Sequence, residues 1–213
     1  MDDDLLSGSP SLNKRYMKKL LVFVFVLGGL TGFSQTKILP PEVQINTAVL
    51  AAPEMYRDNA TVLGYNKEGK LITLREGDNG MVCLADDPNR EGINVSCYSV
   101  KLEPFMARGR ALLLEGKSEV EKREIRKQEI DQEKLIMPEE PAMVYVLSGE
   151  ERDLDTKTGA LANSKIRYVL YKPYMTGEST GLPTKPQAPG MPWLMDAGTH
   201  RSHIMITPAK SNN

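Results

Sequence analysis

Three groups of residues in this chain carry side chains that can do chemistry. Gly177-Glu178-Ser179-Thr180-Gly181 fits G-x-S-x-G. That pattern activates a serine when a strand turns sharply into a helix and exposes the hydroxyl beside an oxyanion hole. The only histidines, His200 and His203, follow, with Asp196 just upstream. A serine mechanism would need Ser179 as nucleophile, one histidine as base and Asp196 as the orienting acid. The same histidines give an H-x-x-H spacing, which presents both imidazoles to a metal from a helix but sends them to opposite faces of a strand. Ile204–Thr207 reads as strand, so a metal pair is not expected, and one buried and one exposed histidine is.

The third group is made for binding. Arg108 and Arg110 flank Gly109, and with Arg75 and Arg167 they form an anion site if the fold gathers them. Ordinary ion pairs to nearby glutamates are the simpler expectation. Trp193, the single tryptophan, lies in a segment with prolines at 183, 186, 189 and 192. This period of three matches polyproline II. The ridge either packs over the sheet, against Tyr168, Tyr171 or Tyr174, or forms the rim of a ligand groove with Trp193 as an apolar wall. Trp193, Tyr171, Arg108 and Arg110 are therefore the candidate ligand-binding residues.

Elements that position these groups follow from hydrophobic period. Ala60–Tyr65 and Leu71–Arg75 are apolar, β-branched runs joined by Asn66-Lys67-Glu68-Gly69, a hairpin signal. Met81–Ala85 and Ile93–Val100 complete four short strands, which predicts an antiparallel meander. Val43–Ala52 reads as a short helix that Pro53 interrupts. Leu102, Phe105, Met106, Gly109, Leu112 and Leu113 recur at helical spacing, with Pro104 in the first turn and Gly116 at the stop. Ser118-Glu119-Val120-Glu121 is a capping box for a second helix reaching about Leu135. Its apolar residues, Val120, Ile125 and Ile130, stand five apart and make no stripe, so it is expected on the surface. Ala142–Leu147, Lys165–Tyr171 and His203–Thr207 read as further strands, and Pro173–Thr199 as a long loop. The sum is a single α+β domain, a mainly antiparallel sheet with an α-hairpin inserted at about 101–135.

Met17–Gln35 reads as a secretory leader. Lys18 and Lys19 precede eleven residues, Leu20–Leu30, that are apolar apart from two glycines, and Thr31, Gly32 and Ser34 are small. The run falls short of the ~20 apolar residues of a membrane span. Its Gly-Phe-Ser-Gln ending resembles bacterial export signals. Cleavage after Ser34 would leave one exported domain, periplasmic or secreted, and no stable membrane span. Residues 1–16 carry three aspartates ahead of the leader and read as an upstream misassignment or a disordered extension.

In an exported chain the two cysteines, Cys83 and Cys97, predict a disulfide worth ~3 kcal/mol for a loop of about 15 residues. The net charge is −1, with no polybasic stretch, so nucleic acid is not an expected partner. Neither a Walker motif nor G-x-G-x-x-G occurs, and no cofactor or resident metal is expected. The reading that remains is a non-catalytic exported domain that binds a small molecule or an envelope protein. A small hydrolase built on residues 173–203 is the alternative, and a metal-binding protein the next.

Overall fold

A computed structural model describes residues 38–209. The expected leader and the segment before it lie outside the described residues. Eight strands make one sheet: β1 (Thr61–Tyr65), β2 (Leu71–Arg75), β3 (Met81–Leu84), β4 (Ile93–Ser99), β5 (Ala142–Gly149), β6 (Lys165–Tyr171), β7 (Trp193–Met195) and β8 (His203–Ile206). Their order is β2-β1-β3-β4-β5-β6-β8-β7. Helix α1 (Pro41–Val49) precedes the sheet, α2 (Glu103–Leu114) and α3 (Glu119–Asp131) lie between β4 and β5, and α4 (Gly177–Thr180) is a single turn after β6. This is the expected α+β domain with its inserted α-hairpin.

The first four strands depart from a meander. β1 and β2 form the predicted hairpin, where Asn66 Oδ1 accepts from Glu68 N and Lys70 N. β3 does not then pair with β2. It returns to the other side of β1 and runs parallel to it. The chain must cross the start of β1 within a few residues, and Gly77 is the point of closest approach. A Cβ there would collide with Asn59 O, Ala60 C and Thr61 N. Thr61 Oγ1 accepts from Gly77 N at 3.1 Å, and Asp78 N donates to Asn59 O at 3.1 Å, which fixes the crossing. Every other strand pair is antiparallel.

The sheet buries both faces. On one, Val62, Cys83, Cys97 and Leu147 pack beneath α1 through Ala48 and Val49. Cys83 and Cys97 stand directly opposite in the β3–β4 register, Cα atoms 4.0 Å apart, and form a disulfide with both residues fully buried. Gln44 anchors α1: its Nε2 donates to Tyr65 O at 2.9 Å and its Oε1 accepts from Tyr65 N at 2.8 Å, so the amide completes the end of β1 as a strand would.

On the opposite face Val82, Tyr98, Val144 and Val169 pack beneath α2 with Leu102 and Met106. The Tyr98 hydroxyl, whose pKa burial pushes up, donates to Glu103 Oε2 at 2.5 Å and accepts from Arg110 Nη1 at 2.9 Å. The Ser118 capping box forms as expected, with Glu121 returning the bond to Ser118 N. α3 is not the purely solvated helix that its charge suggests. Its buried residues are Lys122 and Arg126. The Arg126 guanidinium carbon sits 4.0 Å from the centre of the Phe105 ring, a cation–π contact that buries the apolar stem as well. A Cβ on Gly109 would stand 2.9 Å from Arg126 Nη1, so this glycine makes room for the arginine between the two helices.

Candidate functional site

The candidates from the sequence fall into three places. The first is α4, which is the G-x-S-x-G segment itself. Thr176 caps the turn, and Ser179 Oγ donates to Thr176 O at 3.2 Å and accepts from Thr176 N at 3.0 Å. The exposed hydroxyl is thus used in a local capping box. No hydrogen bond joins Ser179 to either histidine among the described residues.

Asp196, His200, His203 and Tyr171 do come together, on β6, β8 and the turn before β8. Both histidines are about 4% exposed, where one exposed histidine was expected. His203 heads β8 opposite Tyr171, and the two rings stack with centroids 4.7 Å apart. His203 Nδ1 lies 2.8 Å from Arg201 O; a carbonyl only accepts, so Nδ1 carries the hydrogen. The His200 ring meets Phe105 edge-on at 6.2 Å, and neither of its nitrogens has a partner among the described residues. Burial depresses the pKa of both imidazoles, and the Arg126 and Arg201 charges push His200 the same way. Arg201 Nε is 2.9 Å from Asp196 Oδ2, near enough for charge attraction but not aligned as a hydrogen bond. Ser202, fully buried, donates to Lys172 O at 2.5 Å and accepts from Met175 N at 2.9 Å. These polar atoms of Asp196, His200 and Arg201 are closed to solvent. Phe105 of α2 packs on the Tyr171 and His200 rings of this cluster. Among the described residues, no three His, Cys, Asp or Glu side chains converge on a metal position.

The arginines are not gathered. Arg108 Nε lies 2.9 Å from each oxygen of Glu129 and its Nη1 2.9 Å from Glu115, tying α2 to α3. These carboxylates hold its pKa above the usual arginine value. Arg110 Nη2 is 2.6 Å from Glu103. Arg75 donates to the carbonyls of Ala60 and Arg57. Arg167 stands elsewhere, on β6, and it leads to the third place.

A groove of about 970 Å³ opens where β6 and β8 part. Their pairing runs from Tyr171↔His203 to Tyr168↔Ile206 and stops. One further step in that register puts Thr207 opposite Arg167, and the next puts Pro208 opposite Ile166. Proline has no N–H to extend the ladder. The prolines of the long loop close over the gap: Pro186 and Pro189 line it, and Pro183 O accepts from Leu194 N at 2.8 Å to pin the loop's far end to β7. Trp193 pairs with Met205, and Met205 with Val169, so the three share one face of the sheet. Met191, Trp193, Met195 and Met205 give the groove its apolar wall. The lining includes Lys165 and Arg167 and no carboxylate among the described residues. A small cavity of about 60 Å³ beside Tyr65 and Asp86 holds no more than a few water molecules.

Trp193 lines this groove. Tyr171 packs instead on Phe105 and His203, and Tyr168 meets Tyr145 edge-on at 5.9 Å on the other face. Sequence reasoning passed over the methionines. Met191, Trp193 and Met195 alternate at a spacing of two, which marks one face of a strand, but the surrounding prolines drew the segment toward a loop. Compared with protein-family models, with curated proteins and with solved structures, the chain matches none, and the chemistry of this groove is the ground on which a role is assigned.

Proposed function

We propose that this chain is a non-catalytic, exported binding domain that holds an apolar small molecule in the groove beneath Trp193. The groove carries the reading. Its size is that of small-molecule sites, roughly 300–1,000 Å³. Its wall of tryptophan and methionine suits an apolar guest, because thioether side chains repack around irregular shapes. Among the described residues Ser179, His200 and His203 lie outside this groove. Export is supported by the Met17–Gln35 leader and by the buried disulfide, a bond that persists in oxidising compartments. Among the described residues no helix is long and apolar enough to cross a membrane.

The chain contains one tryptophan, so its emission reports on the groove alone. Titration with dodecanol is expected to shift Trp193 emission to the blue and to saturate. An emission spectrum unmoved by dodecanol and by longer alcohols would defeat the groove as a site. N-terminal sequencing of the exported product is expected to begin at Gln35.

A further inference from the structure

We infer that the ligand of this groove is an amphiphile with an anionic head group, a carboxylate or its equivalent, held by Lys165 and Arg167. This rests on the groove reading above and names the class of molecule. Side chains at alternate positions of a strand share a face. Arg167 and Lys165 therefore lie on the same face of β6 as Val169, one and two steps toward the start of the strand. Val169 is in register with Met205 and Trp193. The apolar wall and the two cations thus form successive rows of one surface, about 7 Å per step. Arg167 falls at the first row beyond the last β6–β8 pair, where the strands part.

Both side chains are exposed, and neither makes an ion pair among the described residues. Arg108 and Arg110, by contrast, are neutralised by glutamates: Arg108 by Glu115 and by Glu129 of α3, and Arg110 by Glu103. A groove with two uncompensated cations and no carboxylate in its lining favours an anion over a neutral guest and disfavours a cation. Arg167 presents a planar fork that matches a carboxylate in two hydrogen bonds, while Lys165 adds a point charge. Head at the cationic rows and tail against Trp193 and the methionines is the orientation the rows impose.

The test uses the intact chain and three amphiphiles of equal length below their micelle concentrations: dodecanoate, dodecanol and dodecyltrimethylammonium. Trp193 emission gives each affinity. Dodecanoate should bind roughly tenfold more tightly than dodecanol, and the ammonium weakest. In the double variant Lys165→Gln, Arg167→Gln, shown to be folded by its circular dichroism and cooperative melting, that preference should vanish. Raising the salt concentration should weaken dodecanoate alone. Equal affinity for dodecanoate and dodecanol in the natural chain would overturn the head-group assignment and leave the apolar groove standing. Preference for the ammonium would overturn it too. No response to any of the three would overturn both, and a protein partner would then be the occupant to seek.

Discussion

Reducing the Cys83–Cys97 bond should destabilise the domain by about 3 kcal/mol. The two residues are 14 apart in sequence, so the bond closes a loop of about 15 residues, and the chain-entropy relation gives that figure at 25 °C. The bond joins neighbouring strands already in register and does not create their contact. Its effect is therefore assigned to the unfolded chain, which gains freedom when the bond is cut. A smaller cost adds to this in the folded protein. Both residues are fully buried beneath α1, and two thiols need more room than a bonded pair, so the reduced core is overfilled. For a domain of this size each kcal/mol moves the melting temperature by about 2–4 °C, so reduction should lower it by about 6–12 °C. The assay is thermal unfolding followed by circular dichroism, on oxidised protein and on protein reduced in denaturant and refolded under reductant. A thiol assay confirms two free thiols in the second sample. Melting temperatures within about 2 °C of each other, with both thiols free, would refute the loop-entropy reasoning.

Two further perturbations probe the backbone crossing and the buried charges. Gly77→Ala should cost about 3 kcal/mol or more, because the added carbon meets backbone atoms of Asn59, Ala60 and Thr61 that cannot swing aside. Gly116→Ala, at φ +75 with open space around it, should cost only about 1 kcal/mol, and equal melting temperatures for the two variants would disprove the tight crossing. The acid response should contain two opposed parts. Burial, with Asp87 and Glu151 nearby, raises the Asp86 pKa to about 6, so the fold holds this proton more tightly than the unfolded chain and gains stability as pH falls from about 6 to 4. His200 and His203 are depressed, so their stability is present above about pH 6.5 and is lost as pH falls below it. Asp86→Asn should therefore stabilise the fold at pH 7.5 by about 1 kcal/mol, a two-unit shift cut to a third or so for partial exposure. His200→Gln should flatten the loss below pH 6.5. Urea midpoints from pH 4 to 8 read both, and an unaltered acid slope in His200→Gln would sink the assignment to that ring.

Local signals in the chain predicted what local physics controls. Pro104, Gly116 and the Ser118 capping box bound α2 and α3, and Lys165–Tyr171 is β6 to the residue. Cys83 and Cys97 were legible because two strand-like runs in one turn of chain leave few other partners. The parallel pairing of β1 with β3 was not, since the pattern of each strand is the same whichever neighbour it takes. Only the contact at Gly77 distinguishes the two arrangements. α3 lies largely exposed, as expected, but its two buried residues were hidden for a related reason. Hydrophobic spacing is blind to Lys122 and Arg126, which pack by their aliphatic stems and, for Arg126, by its charge over Phe105. Of the candidate site, Trp193 was visible as a lone aromatic among prolines. A groove beside it was one of two readings, but its far wall was not legible, because it exists where Pro208 ends a ladder between strands remote in sequence.

The sheet order separates the covalent staple from the groove. From β4, which carries Cys97, to β7, which carries Trp193, there are four strand spacings of about 4.8 Å each, or roughly 19 Å. Substitutions that far apart, with no shared neighbour, contribute additively. The wall of the groove is thus free to vary, in nature or in the laboratory, without renegotiating the stability held at the other half of the sheet. Libraries built on positions 191, 193, 195 and 205 would sample new guests on a scaffold whose tolerance is set elsewhere.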